Sequence, residues 1–125
     1  MNKQRKILLA DDEPNILLSL DFLMRKVGYE VFIARNGSEA IEIIRSQKLD
    51  IAVLDIMMPD IDGYQICEFI KSHASYKSCK VLFLSAKSKE SEIEKGLKMG
   101  ADAYMTKPFS TRSLLVKVQE LLGEA

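Results

Sequence analysis

Short apolar runs alternate along the chain with segments in which apolar residues recur every three or four positions. Three of the runs hold four consecutive apolar residues and end at an acid or a hydroxyl: 7–10 before Asp11, 51–54 before Asp55, and 81–84 before Ser85. Uninterrupted runs of this length are typical of strands buried on both faces, as in a parallel sheet covered by helices. Weaker strand signals lie at 31–34 and 101–105.

The segments between the runs have the period of a helix. The first extends from Pro14, which suits a first helical turn, to Gly28, which suits a helix end. Its expected inward residues are Ile16, Leu20, Leu23, Met24 and Val27. After the turn signal Asn36-Gly37, we expect Ser38 to cap the second helix. The other three helices are expected to begin near Gly63, Glu90 and Ser110.

Strand and helix therefore alternate five times, which predicts an α/β fold: a doubly wound parallel sheet of five strands with helices on both faces. The chain has 125 residues, which suits one compact domain. No internal repeat, low-complexity stretch or linker divides the sequence. We therefore expect residues 1–125 to form a single domain.

Composition excludes several functional classes. Basic and acidic residues number 18 each, so a dominant basic field is absent and direct nucleic-acid binding is not expected. Cys67 and Cys79 lack a C-x-x-C spacing and His73 is the single histidine, which argues against zinc and favours reduced thiols. The polar start of the chain and its short apolar runs predict no signal peptide or membrane span. We expect a cytoplasmic protein.

The candidate chemistry lies where the predicted strands end, because sites in open α/β sheets form at the carboxyl ends of strands. Asp11 and Asp12 follow the first strand, Asp55 the third, Ser85 the fourth and Lys107 the fifth. Two carboxylates ~4 Å apart repel by about 4 kcal/mol at an effective dielectric near 20, so such a cluster needs cations. An oxygen-only cluster suits Mg²⁺ better than Zn²⁺. An Asp nucleophile, a lysine and Mg²⁺ together predict phosphoryl transfer onto the aspartate.

These residues occur in motifs whose order resembles the receiver domain of response regulators, the chemotaxis-regulator-like switches of two-component signalling. The motifs are Asp11-Asp12, the segment 54–63 around Asp55, Ser85-Ala86 and Lys107-Pro108-Phe109. The resemblance covers essentially the whole chain. It implies a flavodoxin-like three-layer fold with the strand order 2-1-3-4-5.

The resemblance also implies roles for the acids. Asp55 resembles the phosphoacceptor, Asp12 the acid that binds the metal directly, and Asp11 the acid that acts mainly through water. Met57 resembles the position whose backbone carbonyl completes the metal site. The implied cofactor is Mg²⁺, or Mn²⁺ in its place.

Further positions resemble the family's switch. Ser85 resembles the switch hydroxyl, Lys107 the lysine that contacts the phosphoryl group, and Tyr104 the aromatic residue that turns inward on phosphorylation. The Lys107-Pro108 peptide is expected to be cis. Met57 and Lys87 occupy positions that tune phosphate lifetime; because Met57 has no polar group to orient water, we expect slow self-dephosphorylation.

The implied function is a phosphoacceptor signalling domain and not a turnover enzyme. The expected phosphodonor is a sensor histidine kinase, a histidine phosphotransfer protein or a small phosphodonor. The expected output is a downstream domain or protein controlled through the fourth helix, fifth strand and fifth helix, a surface that also suggests a phosphorylation-dependent homodimer. The sequence does not distinguish a stand-alone adaptor from the receiver part of a longer chain.

Two other classes compete with this interpretation. A Mg²⁺-dependent phosphatase that forms an aspartyl phosphate, resembling haloacid dehalogenases, needs a second acid two residues after the nucleophile, where this chain has Met57. A flavodoxin-like cofactor binder needs a phosphate-cradling loop after the first strand, and the acids Asp11, Asp12 and Glu13 would repel a phosphate there.

Overall fold

The structure, a computed structural model, describes residues 4–124; the remaining residues of the expected 1–125 domain lie outside this range. Five parallel strands form one sheet in the order β2-β1-β3-β4-β5, which confirms the predicted fold class and topology. In chain order the elements are β1 (Lys6–Ala10), α1 (Pro14–Lys26), β2 (Glu30–Ala34), α2 (Gly37–Ser46), β3 (Ile51–Asp55), α3 (Gly63–Ser72), β4 (Lys80–Ser85), α4 (Glu90–Lys98), β5 (Ala103–Thr106) and α5 (Thr111–Leu121).

The central strands are buried because their side chains alternate between two separate hydrophobic clusters. Leu8, Leu54 and Phe83 belong to the cluster that packs against α2 and α3. Ile7 and Leu82 belong to the cluster that packs against α1 and α5. Both faces of the sheet are therefore covered, as the uninterrupted apolar runs predict. The edge strand β5 is only half-buried and begins two residues later than its sequence pattern indicates.

Local chemistry explains most helix boundaries, with one correction. Pro14 occupies the first turn of α1, and Gly28 follows the helix with φ 101°, a conformation that favours glycine. The predicted cap Ser38 is wrong: Asn36 caps α2, and its side chain accepts a hydrogen bond from the Glu39 N–H. Asparagine satisfies this donor from the position before the helix, whereas Ser38 already lies inside the first turn.

The inward face of α1 also differs from the prediction. Its buried residues are Leu17, Leu20 and Met24. Val27, which we expected to point inward, is 43% exposed, because it lies just past the last helical residue. Within residues 4–124, no helix combines the length and the apolar character needed to cross a membrane.

Candidate functional site at the carboxyl ends of the strands

Parallel pairing in register gathers the predicted site residues at one edge of the sheet. Asp11 directly follows β1, whereas Asp55 and Ser85 are the last residues of β3 and β4. Carboxylate oxygens of Asp11, Asp12, Glu13 and Asp55 all lie within 4.8 Å of one another. The predicted acidic cluster therefore exists, and it includes one acid more than the sequence prediction named.

Lys107 supplies an ammonium group to this cluster. Its Nζ lies 2.9 Å from Glu13 Oε1, 3.2 Å from Asp11 Oδ2 and 3.4 Å from Asp55 Oδ2. Asp11 and Asp55 are buried, while Asp12 and Glu13 are exposed. The four acids and one lysine leave a formal charge of −3 when all are ionised.

The surroundings raise the pKa of Asp55 from its ordinary 3.8 to about 6. Burial is the main cause, because it disfavours the charged form, and the negative charge of Asp11 adds to it. Lys107 and the Met57 N–H, which donates to Asp55 Oδ1 at 3.2 Å, act in the opposite direction. For Lys107, burial lowers the pKa, but the hydrogen bond to Glu13 and the charges of Asp11 and Asp55 outweigh it, so its pKa is raised.

The donor set fits a hard divalent cation. Among the described residues, Asp11 Oδ2 is buried without a hydrogen-bond donor, and the charge that approaches it is Lys107 Nζ at 3.2 Å. An unsatisfied buried carboxylate oxygen is costly unless a cation neutralises it. The neighbouring groups offer oxygen and no sulfur or nitrogen ligand, which matches Mg²⁺ or Mn²⁺. Asp11, Asp12 and Asp55 are the side chains that could hold such an ion.

Glycine at position 63 allows α3 to start directly beside Asp55. Its N–H donates to the Ile56 carbonyl at 2.9 Å, and a Cβ at this position would lie 2.7 Å from the Asp55 carbonyl oxygen. Any side chain would therefore push the loop away from the end of β3. Asp62 begins α3 with a capping box, in which it accepts from the Gln65 N–H, and this fixes the far end of the loop.

Ser85 and Tyr104 are joined through the backbone of one residue. Ser85 is fully buried, and its Oγ accepts a hydrogen bond from the Lys87 N–H at 3.1 Å. The Tyr104 hydroxyl donates to the Lys87 carbonyl at 2.9 Å. The half-buried Tyr104 ring packs edge-to-face on Phe83, and a Cβ at Gly96 would lie 3.0 Å from both rings. A movement of Ser85 can therefore reach Tyr104 and α4 through segment 86–88.

The other predicted residues have plain positions. The Met57 side chain is 62% exposed beside Asp55, and its carbonyl remains a predicted ligand. The Lys87 side chain is exposed. The Lys107-Pro108 peptide is cis. Cys67 on α3 and Cys79 just before β4 are buried free thiols, and burial raises their pKa to about 11 and about 12.

Sequence reasoning assigned no role at the site to Glu13, the third acid of an uninterrupted Asp-Asp-Glu run. The signal was present in that run, but spacing alone does not show which way the third side chain turns. Glu13 occupies the N-cap position of α1 without a capping hydrogen bond, and its Oε1 accepts from Lys107 Nζ at 2.9 Å instead.

A sequence profile described as the response regulator receiver domain matches residues 7–119. The chain belongs to this family. Receiver domains are the phosphoacceptor modules of two-component signalling, and the acidic pocket of this one is consistent with phosphorylation and Mg²⁺ binding.

Solved receiver domains match along nearly the whole chain. The CheY-like response regulator receiver domain protein of Methanospirillum hungatei is 33% identical with a TM-score of 0.88, and the match covers 98% of this chain and 96% of that one. The chemotaxis response regulator CheY4 of Vibrio cholerae is 26% identical with a TM-score of 0.90, covering 95% and 99%. The BeF3-activated receiver domain of DrrB, from Thermotoga maritima, is 32% identical with a TM-score of 0.88, covering 97% and 99%.

Proposed function

We propose that this receiver domain accepts a phosphoryl group on a carboxylate oxygen of Asp55, in a Mg²⁺-dependent reaction, and thereby switches the surface formed by α4, β5 and α5. The observation that carries the proposal is the placement of Asp55. It is a buried carboxylate among three other acids, and its Oδ2 lies 3.4 Å from the ammonium of Lys107. An aspartate so placed can attack phosphorus while cations balance the charge of the transferring group.

In the proposed reaction, the Asp55 carboxylate forms a new O–P bond as the donor's bond to phosphorus breaks. With a phosphohistidine donor, the breaking bond is N–P, and its electron pair leaves with the imidazole, which takes up a proton. With acetyl phosphate, acetate leaves. Lys107 stabilises the phosphoryl oxygens. Mg²⁺ supplies further charge neutralisation when held by Asp11, Asp12, Asp55 and the Met57 carbonyl.

The switch follows from the contacts of Ser85. A phosphoryl group adds about −1.5 to −2 charge and three acceptor oxygens, so the Ser85 hydroxyl turns toward it and releases the Lys87 N–H. Segment 86–88 then rearranges, Tyr104 loses its acceptor on Lys87, and its ring moves inward. The two states exist before phosphorylation, which shifts their populations.

The partners are proposed from the family and from the surfaces beside the site. A crevice of about 620 Å³ opens next to Lys107 and Glu13 and is walled by Ile16, Leu20 and Phe109. A sensor histidine kinase or a histidine phosphotransfer protein inserts its phosphohistidine from this side. Leu97 of α4 and Val116 of α5 are exposed apolar residues of the output surface, the one formed by α4, β5 and α5. They would contact a downstream partner, an output domain or a second copy of this chain. The expected compartment is the cytoplasm, where buried thiols stay reduced.

A second part of the proposal concerns phosphate lifetime. The Met57 side chain offers no hydrogen bond to a water that would attack the phosphoryl group. Lys87, two residues after Ser85, adds a positive charge close to the site in sequence. We therefore expect slow loss of the phosphate. Met57→Asn should accelerate dephosphorylation in a single-turnover assay, and an unchanged rate would refute this assignment.

The test is incubation with acetyl phosphate and Mg²⁺, followed by intact mass spectrometry. The expected result is one added phosphoryl unit that is absent with a chelator and absent in Asp55→Asn. Asp21→Asn is the matched control, because Asp21 is a half-buried acid on α1 that pairs with Arg25 at 2.6 Å, and this variant should be modified like the wild type. A wild-type protein that stays unmodified, or an Asp55→Asn variant that is still modified, would refute the proposal.

A further inference from the structure

The side chain of Glu13 has a position that its place just before α1 does not explain. Glu13 occupies the N-cap position of α1, but its side chain makes no capping hydrogen bond to that helix. Its carboxylate instead accepts a hydrogen bond from Lys107 Nζ at 2.9 Å, across 94 positions of sequence. Helix α1 therefore begins at Pro14 without a side-chain cap, while the Glu13 carboxylate contacts Lys107 in the acidic site.

Lys107 is shared unequally among the acids. Its contact with Glu13 is the shortest, at 2.9 Å, whereas Asp55 Oδ2 lies 3.4 Å away. The proposed phosphorylation needs the ammonium group on the oxygens that arrive at Asp55. Lys107 therefore has to leave Glu13, or stretch its contact with Glu13, when the phosphoryl group binds.

On this geometry, and resting on the function proposed above, we propose that Glu13 is a positioning residue that restrains Lys107 in the unphosphorylated site and thereby lowers both the rate and the extent of phosphorylation. Glu13 is not a metal ligand in this proposal. Its side chain is 56% exposed, at the mouth of the crevice through which a donor approaches. The ion pair contributes little to stability because its Glu13 end is exposed to solvent, so its effect falls on the position of the lysine.

Two substitutions separate contact from charge. Glu13→Gln keeps the length and removes the charge, while Glu13→Asp keeps the charge and shortens the reach by one methylene. Both loosen Lys107, so both should be phosphorylated by acetyl phosphate faster than the wild type, by about two- to fivefold, and should lose the phosphate more slowly. Glu68→Gln, an exposed acid on α3, removes the same charge elsewhere and should behave like the wild type.

The readouts include Mg²⁺ affinity by calorimetry and urea denaturation of the metal-free protein. We expect Glu13→Asp to bind Mg²⁺ as the wild type does and both variants to unfold as the wild type does. Phosphorylation at the wild-type rate in both variants would overturn the proposal, and so would a gain in Glu13→Gln alone, which would indicate a field effect on the anionic donor. Mg²⁺ binding weakened about tenfold or more in both variants would make Glu13 a metal ligand and would equally overturn it. A wild-type domain that takes no phosphate at all refutes the function and not this role alone.

Discussion

At the amino ends of the strands two basic side chains face three acids, whereas at the carboxyl ends four carboxylates surround one ammonium. Arg5 bonds Glu124 at 2.8 Å and lies 3.6 Å from Asp50, and Lys71 bonds Asp102 at 3.1 Å. The same fold therefore has one edge whose charges are nearly balanced and one edge with an excess of negative charge that favours a bound cation. We expect the amino edge to contribute to stability and the carboxyl edge to bind the cation and accept the phosphoryl group.

The amino edge is also closed by hydrogen bonds to the backbone. Asp102 accepts from the Val81 N–H at 2.8 Å, which ties the start of β5 to β4, and Lys71 donates to the Cys79 carbonyl at 2.9 Å. At the opposite edge, Asp11 Oδ2 is buried with no hydrogen-bond donor among residues 4–124, and the nearest positive charge is Lys107 Nζ at 3.2 Å. The comparison predicts that one kind of substitution, acid to amide, changes stability in opposite directions at the two edges.

The largest expected effect is that of Mg²⁺ on the carboxyl edge. At roughly 100 times its dissociation constant, Mg²⁺ should raise the free energy of unfolding by about 2.7 kcal/mol, because it binds the folded state. Urea denaturation with and without chelator measures this gain. Asp11→Asn should lose most of it, since the substitution removes a charge from the metal cluster. An equal gain in that variant would place the ion elsewhere.

Asp55→Asn should stabilise the metal-free protein while abolishing phosphorylation. The pKa of Asp55 is raised to about 6 in the folded state, so the folded protein binds this proton more tightly than the unfolded chain does. Stability is therefore lost as pH rises from about 4 to about 6, and the loss is complete above that range. The amide removes this cost, which is at most about 3 kcal/mol and is about 2 kcal/mol once solvent screening is allowed for.

Urea denaturation in the presence of chelator checks the sign. The gain of Asp55→Asn over the wild type should be present at about pH 7.5 and should shrink toward zero near pH 4. A destabilised variant at neutral pH would mean that Lys107 already neutralises the cluster, and the contrast between the two edges would fail.

Asp102→Asn is the matched substitution at the amino edge, and we expect it to destabilise. It weakens the hydrogen bond from Lys71 and alters the one from Val81, at a cost of about 1 to 2 kcal/mol. Acetyl phosphate should still modify the variant at the wild-type rate. Urea denaturation tests the loss of stability, and intact mass spectrometry tests the unchanged phosphorylation. A stabilised variant would mean that the acid at position 102 is not neutralised by Lys71.

Tyr29→Phe should give the smallest effect. The Tyr29 hydroxyl donates to Glu124 Oε1 at 2.7 Å, and burial together with that bond raises the tyrosine pKa. Loss of the bond should cost about 1 kcal/mol or less by urea denaturation. Phosphorylation should be unchanged, and a changed rate would show that the two edges are coupled.

The sequence predicts the fold well because burial on both faces leaves an unambiguous pattern in β1, β3 and β4. It also predicts that Asp11, Asp55 and Lys107 meet, since parallel strands end at one edge. It misplaces the cap of α2 because Asn36 and Ser38 are both good capping residues and only the backbone decides between them. The contact between Glu13 and Lys107 depends on side-chain direction across 94 positions, which no local pattern encodes.

The most direct measurement of the central claim is a ¹⁵N-resolved NMR titration with Mg²⁺ and then beryllofluoride, a phosphoryl mimic. The account predicts shift changes first at residues 11–13 and 55–57 and then across 86–106. The chemical shifts of the amino-edge amides at Arg5, Tyr29 and Asp50 should stay unchanged. Unchanged shifts at 86–106, or equal changes at both edges, would contradict it.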